Sequence, residues 1–490
     1  MFSKKKSIRL ILLVVFLFLI TLVLYAQDDY KVWKKQQQNS LREYKSAQDK
    51  AFVEFLEKNW KSFEAFKGEV HDDIPKPDTV PEVEQSGEKD FPETNIVKEI
   101  EVPKAVIMAE DQEVKESLVY AEPGSSPKID VNFWGLPLEY NYTNKLEVAL
   151  EPLNEKAVAN FWYVTSNTDH EKFLQQVQDS REKMNLNDWG FCLLLNEIGK
   201  TITNDSKNLT NLFLWFMLTK SGYESKVGFS ENDVYLLLPC KNVIYGVSYI
   251  MIDDKRFYAV AFDKTEKLSI SINTYDGKYP NADDLIDLGV NKSPNIKKTI
   301  VEKELKFRYE NVVYSIPVKY DQNAANFFRN YPQTNMDVYF KAPLSPEATR
   351  SLFTGFKPIL EGKPETEAAN ILLRFVQTAF EYKTDGDQFG KEKCFFSDET
   401  LFYPYSDCED RSIIFSYLVR NLLKLDVIGL DYPGHISTAV KFHGELEGDF
   451  VVFGEKKYTI CDPTYINANL GMAMPKFKEI EPKVIEISEQ

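Results

Sequence analysis

Between His71 and Tyr120 the chain carries 14 acidic and 5 basic side chains together with five prolines (Pro75, Pro77, Pro81, Pro92, Pro103). Like charges at that density repel one another and proline removes backbone donors, so the stretch 71–130 is expected to be an extended acidic linker. It holds −9 of the formal net charge of −16. The acidity is therefore largely a property of the spacer. The net negative charge still argues against a nucleic-acid partner held by phosphate contacts. With 43% apolar residues among 490, the rest of the chain has ample material for cores. That length exceeds what one core usually serves, so two folded domains are expected, both α+β.

Ahead of the spacer, Lys4, Lys5, Lys6 and Arg9 precede an apolar run from Leu10 to Leu24, and Tyr25-Ala26-Gln27 offers a small residue for cleavage. Residues 1–26 read as a secretory signal peptide, the alternative being an uncleaved N-terminal anchor. Either reading places the remainder in an extracytoplasmic space, periplasmic or secreted. Residues 27–70 form an amphipathic helical segment by spacing, with Tyr30, Trp33, Leu41, Tyr44, Phe52, Phe55, Leu56, Trp60, Phe63 and Phe66 mostly three or four apart. Residues 28–67 could contact a membrane surface or an envelope protein, or fold onto their own domain.

Beyond the spacer, residues 131–345 read as a non-catalytic α+β domain. Leu212 to Leu218 is a wholly apolar run expected to form a buried helix. Strands are expected at Val234–Leu238, Val247–Ile252, Phe257–Phe262, Leu268–Ile272 and Tyr309–Val318. Residues 346–490 form the second domain, opening with helical signals at Glu367–Phe380.

Only four histidines and five cysteines are present, so chemistry that needs imidazole or thiol has few places to live. In an oxidising compartment an odd number of cysteines leaves one unpaired. Asp407 is a good helix N-cap, with Cys408 at the first helical position and Asp410 able to close a capping box. The apolar run Ile413, Ile414, Phe415, Tyr417, Leu418 would hold that helix in the core. A thiol at a helix N-terminus loses its proton more easily, although Asp407, Glu409 and Asp410 oppose that. An imidazole is then needed for activation. His435 opens a strand after the turn Tyr432-Pro433-Gly434, and Asp462 closes another after Cys461. His435 would take the thiol proton, and Asp462 would fix its tautomer. Cys394 and Cys461 could pair as a disulfide, or Cys461 could be a core residue; His443 is expected exposed in a turn.

Ser-Asp-Cys408-Glu-Asp-Arg, Gly-His435-Ile-Ser-Thr-Ala-Val and Cys-Asp462-Pro-Thr-Tyr resemble the three motifs of the transglutaminase-like superfamily, in order, over roughly residues 350–475. The resemblance implies a papain-like fold and a thiol enzyme of the bacterial transglutaminase-like cysteine proteinase branch. Its nucleophile would be Cys408, its base His435 and its orienting residue Asp462. It also implies that Gln377 donates to an oxyanion, and that Asp407 and Glu409 help bind Ca²⁺; no other cofactor is implied. The substrate would be a protein or peptide amide, with an acyl-thioester at Cys408 and hydrolysis favoured over transfer. The alternative is an envelope-associated interaction or scaffold protein that keeps the fold without catalysis. Finally, the apolar helix and following strand of the middle region mimic the order around Cys408, placing Cys408 near Asn208 and His435 near Tyr235. The middle domain is a candidate degenerate copy of the same fold.

Overall fold

The two apolar runs become two buried helices, Lys207–Lys220 and Cys408–Leu418, and an antiparallel sheet is laid against each. This computed structural model describes residues 31, 33–70, 74–83, 98–103, 118–119, 127–142, 148–262 and 271–487. The signal or anchor expected over 1–26 and His71 lie outside them. The chain separates into two compact units, one drawn from Met1–Trp60 and Glu147–His170, the other from Lys61–Leu146 and Glu171–Gln490.

In the first unit a helix covers 33–56, and Glu155–Ser166 forms a second helix, capped where Asn154 Oδ1 accepts from Ala157 N–H at 3.0 Å. Phe52 meets Trp162 edge-on at 4.6 Å between ring centroids, and Trp162 Nε1–H donates to Asp49 Oδ1 at 3.0 Å. Trp33, Leu41 and Tyr44 are exposed. The helix expected over 27–70 stops short. Residues Trp60–Phe66 form a strand instead, whose Ala65 and Phe66 pair with Ile250 and Tyr249. Phe63 and Ala65 alternate onto the apolar cluster of Tyr235, Leu237 and Ile250, a period of two that a spacing of three also fits over so short a run. No helix among the described residues is long and apolar enough to cross a membrane.

The middle sheet is a closed six-stranded barrel in the order Trp60–Phe66, Tyr249–Ile252, Lys255–Val260, Asp233–Pro239, Lys226–Ser230, Ser271–Tyr275. Every residue from Thr210 to Thr219 is buried. The single strand expected at Tyr309–Val318 is a hairpin, Ile300–Tyr309 with Val312–Asp321, because Glu310 adopts φ +51° and turns the chain.

The C-terminal sheet runs Phe450–Phe453, Lys456–Cys461, His435–Lys441, Asp426–Tyr432, Lys483–Ile485. Its order repeats that of five barrel strands, and so does its register. Ile252 pairs with Lys255 as Phe453 does with Lys456; Leu236 pairs with Val260 as Thr438 does with Cys461; Ser230 pairs with Asp233 as Tyr432 does with His435. A glycine sits in the matching strand of each sheet, one register position apart: Gly228 pairs with Tyr235 and Gly429 with Thr438. An added Cβ would lie 2.3 Å from Ile272 Cγ2 in one and 3.0 Å from Ile485 Cβ in the other. The helices dock alike: Ser412 Oγ donates to Ile436 O at 3.0 Å, and Asn211 Nδ2 to Val234 O at 2.8 Å. This register sets Lys207 and Asp233, rather than Asn208 and Tyr235, opposite Cys408 and His435. They form an ion pair at 3.3 Å.

The boundary expected near residue 345 falls inside the second compact unit, where Ser345 N–H donates to Asp398 Oδ2 at 3.0 Å. Burial pushes the Asp398 carboxyl up to about 7 from an ordinary 3.8. Between those values the folded state holds a proton that the unfolded chain has released. Stability therefore falls as pH rises through this window. Asp398→Asn keeps an acceptor for Ser345 and removes the buried charge. It is expected to stabilise the protein by about 2 kcal/mol at pH 8 and to have little effect at pH 4, read from denaturant midpoints at the two pH values.

The stretch read as a spacer also differs from expectation. Ile100 and Val102 are buried, Ile100 N–H donates to Lys363 O at 2.9 Å, and Glu82 bridges to Ile466. Leu118–Val119 pairs with Leu138 and Glu139. Charge density alone did not reveal the apolar and backbone groups that dock these pieces.

Candidate active site

The Cys408 helix begins where Asp410 Oδ2 accepts from Asp407 N–H at 3.2 Å, and Asp410 Oδ1 also accepts from Phe395 N–H at 2.9 Å. These bonds fix the first turn and leave the Cys408 side chain on the face that meets the His435 strand. Cys408 is fully buried, and the Ile436 N–H, one residue past His435, favours its thiolate. Its thiol proton points to Glu409 Oε2 at 3.3 Å. Burial, with the Glu409 charge beside it, pushes the thiol well above its ordinary range, while Lys76 pulls it down.

His435 and Asp462 meet as the sequence predicts. His435 Nε2 lies 2.9 Å from Asp462 Oδ2, and both side chains are buried. Asp462 Oδ1 accepts from Thr464 N–H at 2.9 Å and Tyr465 N–H at 3.2 Å, so the carboxylate is held from both sides. The imidazole lies flat on Phe477, centroids 4.9 Å apart and planes within 4°. Its Nδ1 is buried without a hydrogen-bond partner among the described residues.

Gln377 departs from its expected role. It is buried, and its amide nitrogen faces the carbonyls of Asp462 (3.1 Å), Tyr465 (2.8 Å) and Ala468 (3.0 Å). Two amide hydrogens are thus spent on the loop that carries Asp462, and none remains for an oxyanion. Gln377 is a positioning residue. All five cysteines are free, so no disulfide joins Cys394 and Cys461; Cys394 sits 4.0 Å from Met336 Sδ. His443 is half-exposed and pairs with Glu365 at 2.9 Å.

Asp407 and Glu409 lie together, joined by Asp385 and Glu392, and all four carboxylates face one ammonium. Lys76 Nζ is 2.9 Å from Asp407 Oδ2, 2.7 Å from Glu392 Oε2 and 3.4 Å from Asp385 Oδ2, and it also bonds Glu409 Oε1. Burial opposes the ammonium, but the Glu409 and Asp407 charges outweigh it and raise its pKa well above the ordinary 10.5. Burial would raise Glu409 as well, yet Lys76 holds that carboxyl down to about 2. One ammonium cannot hold every carboxylate ionised. Burial and the Glu409 charge push Asp385 up to about 7, and the same two causes raise Asp407. Carboxylate oxygens so gathered, one of them (Asp407 Oδ1) buried without a partner, suit a hard divalent cation in their chemistry. Lys76, Asp385, Glu392 and Phe477 were not singled out in the sequence: Lys76 is more than 300 residues from its partners and sits among spacer charges.

No protein-family model, curated protein or solved structure matches this chain.

Proposed function

We propose that the chain is an extracytoplasmic thiol enzyme acting on peptide or amide bonds, built on a transglutaminase-like fold whose middle barrel is a degenerate copy. The observation that carries this reading is the His435–Asp462 pair with Nδ1 left unpartnered, set one residue from the Ile436 N–H that favours the Cys408 thiolate. In the copy, the ion pair of Lys207 and Asp233 takes the place of thiol and imidazole and cannot run the same chemistry.

In the reaction, His435 Nδ1 takes the Cys408 proton and the sulphur adds to the amide carbon. The carbon–nitrogen bond then breaks and the departing amine receives the proton from His435. Water next adds to the thioester, releasing the acid and returning the proton to sulphur. The Cys408 N–H, in the first helical turn, has no intrahelical acceptor and faces the developing oxyanion. If Ca²⁺ is used, Asp407 and Glu409 would hold it only once the Lys76 ammonium has left their oxygens, and it would then help to order the start of the nucleophile's helix.

The competing reading is an interaction module that keeps the fold without catalysis. It draws support from the buried Cys408 thiol, whose proton goes to Glu409. Iodoacetamide labelling of Cys408 at pH 7, followed by peptide mass spectrometry with Cys461 as internal reference, separates the two. His435→Ala is expected to slow Cys408 labelling at least tenfold, because any opening of the site is common to both proteins. Equal rates would overturn the enzyme reading.

A further inference from the structure

One described part of the spacer, residues 74–83, lies along all three elements that carry the site. Ile74 and Pro75 cover the turn before His435: an added Cβ at Gly434, at φ +68°, would come 2.9 Å from Ile74 Cγ2 and 3.3 Å from Pro75 O. Lys76 reaches the carboxylates flanking Cys408. Tyr382 Oη–H then donates to Pro77 O at 2.9 Å. At the far end Val83 N–H donates to Ile466 O at 2.9 Å and Ile466 N–H to Pro81 O at 3.1 Å, four residues past Asp462. Proline at 75, 77 and 81 keeps the segment extended. A peptide that passes the turn before the base, then the carboxylates flanking the nucleophile, then the loop of the orienting acid lies where a substrate of the proposed enzyme must lie.

We infer that the pocket of Asp385, Glu392, Asp407 and Glu409 is a subsite for the cationic side chain of a lysine or arginine in a substrate peptide, which Lys76 of the chain itself occupies. This rests on the reading of Cys408 as the group that is acylated. The pocket has the features that select a cation. Asp385, Asp407 and Glu409 are buried, Glu392 stands half-exposed at the mouth, and Asp407 Oδ1 has a lone pair unspent. With four carboxyls and one ammonium, a neutral occupant leaves buried negative charge uncompensated, so the pocket discriminates against it. The guanidinium of arginine offers more donors to the same oxygens. The segment 74–83 then acts as a tethered occupant, and Cys408 is closed for as long as it stays.

The test uses the full chain carrying Lys76→Ala, with folding checked by circular dichroism; Lys76→Met, which keeps the aliphatic stem, is the second variant should the first not fold. A fluorescent peptide with the sequence of residues 74–83, and the same peptide with norleucine for lysine, are titrated by anisotropy, in EDTA and again in millimolar Ca²⁺. The lysine peptide is expected to bind at least tenfold more tightly than the norleucine peptide, Asp385→Asn to reduce that ratio, and the bound lysine peptide to slow iodoacetamide at Cys408. Equal binding of the two peptides, binding of neither, or a response to Ca²⁺ alone would overturn the subsite. Because binding is the readout, a lysine-selective pocket with no acylation of Cys408 would sink the catalytic reading and leave the subsite standing. Acylation without lysine preference would do the reverse.

Discussion

Asp462→Asn is expected to lower the acyl transfer proposed for Cys408 about 10³–10⁴-fold while leaving the fold intact, the scale seen when a triad carboxylate becomes an amide. The reason lies in which hydrogen bonds an amide can keep. Asp462 Oδ1 accepts from the Thr464 and Tyr465 N–H groups, and the carbonyl oxygen of asparagine can go on doing so. That choice turns its NH₂ toward His435 Nε2, where Oδ2 stood at 2.9 Å. A donor there makes Nε2 an acceptor and moves the imidazole proton to Nδ1. In the proposed reaction Nδ1 receives the thiol proton, so the base would face Cys408 already protonated. The iodoacetamide rate at Cys408 should fall with turnover, and the thermal midpoint should move little. Asp462→Ala, which drops the backbone bonds too, should lose stability as well as rate. An Asp462→Asn protein as reactive as the parent would show that His435 is not the base.

What could be read from the residues is what local signals specify. A cysteine after an N-cap aspartate, a histidine after Pro-Gly and an aspartate closing a strand each announce their place on an element, and the sheet register then joins them. The repeat was visible as an apolar helix followed by strands, but its alignment was one or two residues off, because only the pairing Ser230↔Asp233 against Tyr432↔His435 fixes it. Gln377 shows the opposite limit. Its helix was legible, yet the three carbonyls it meets come from a loop 85 to 91 residues later, and no pattern along the helix encodes them. Lys76 is the extreme case. Its charge counts, in the sequence, as part of a self-repelling spacer, whereas in the fold it is the counter-ion of three buried acids of the site.

Arg411→Met is expected to destabilise the second compact unit by about 3 kcal/mol, the largest loss anticipated from a single side chain outside the triad. Arg411 is 1% exposed and has no carboxylate partner at hydrogen-bond distance among the described residues. Its guanidinium donates to Phe380 O at 2.8 Å, Gln377 O at 3.3 Å and Ser406 Oγ at 3.3 Å, and lies 5.3 Å from the Tyr382 ring centroid. The two carbonyls lie at the end of the Glu365–Ala379 helix, so the charge ties the Cys408 helix to the one that carries Gln377. Burial drives the guanidinium down to about 10, which shows how much solvation has been given up. Methionine fills most of the stem's volume and relieves that penalty, but it strands two buried carbonyls at ~1–3 kcal/mol each, and the second effect exceeds the first. Denaturant unfolding should show a lower midpoint with an unchanged slope. Arg411→Lys, with a charge but no fork, should fall between the two. Cys408 in the Arg411→Met protein should label faster than in the parent, and at a rate no longer sensitive to His435→Ala, because the start of its helix has loosened rather than its thiol having become more acidic. A midpoint equal to the parent's would mean that the carbonyls find other donors and that the tie between the helices is not made by Arg411.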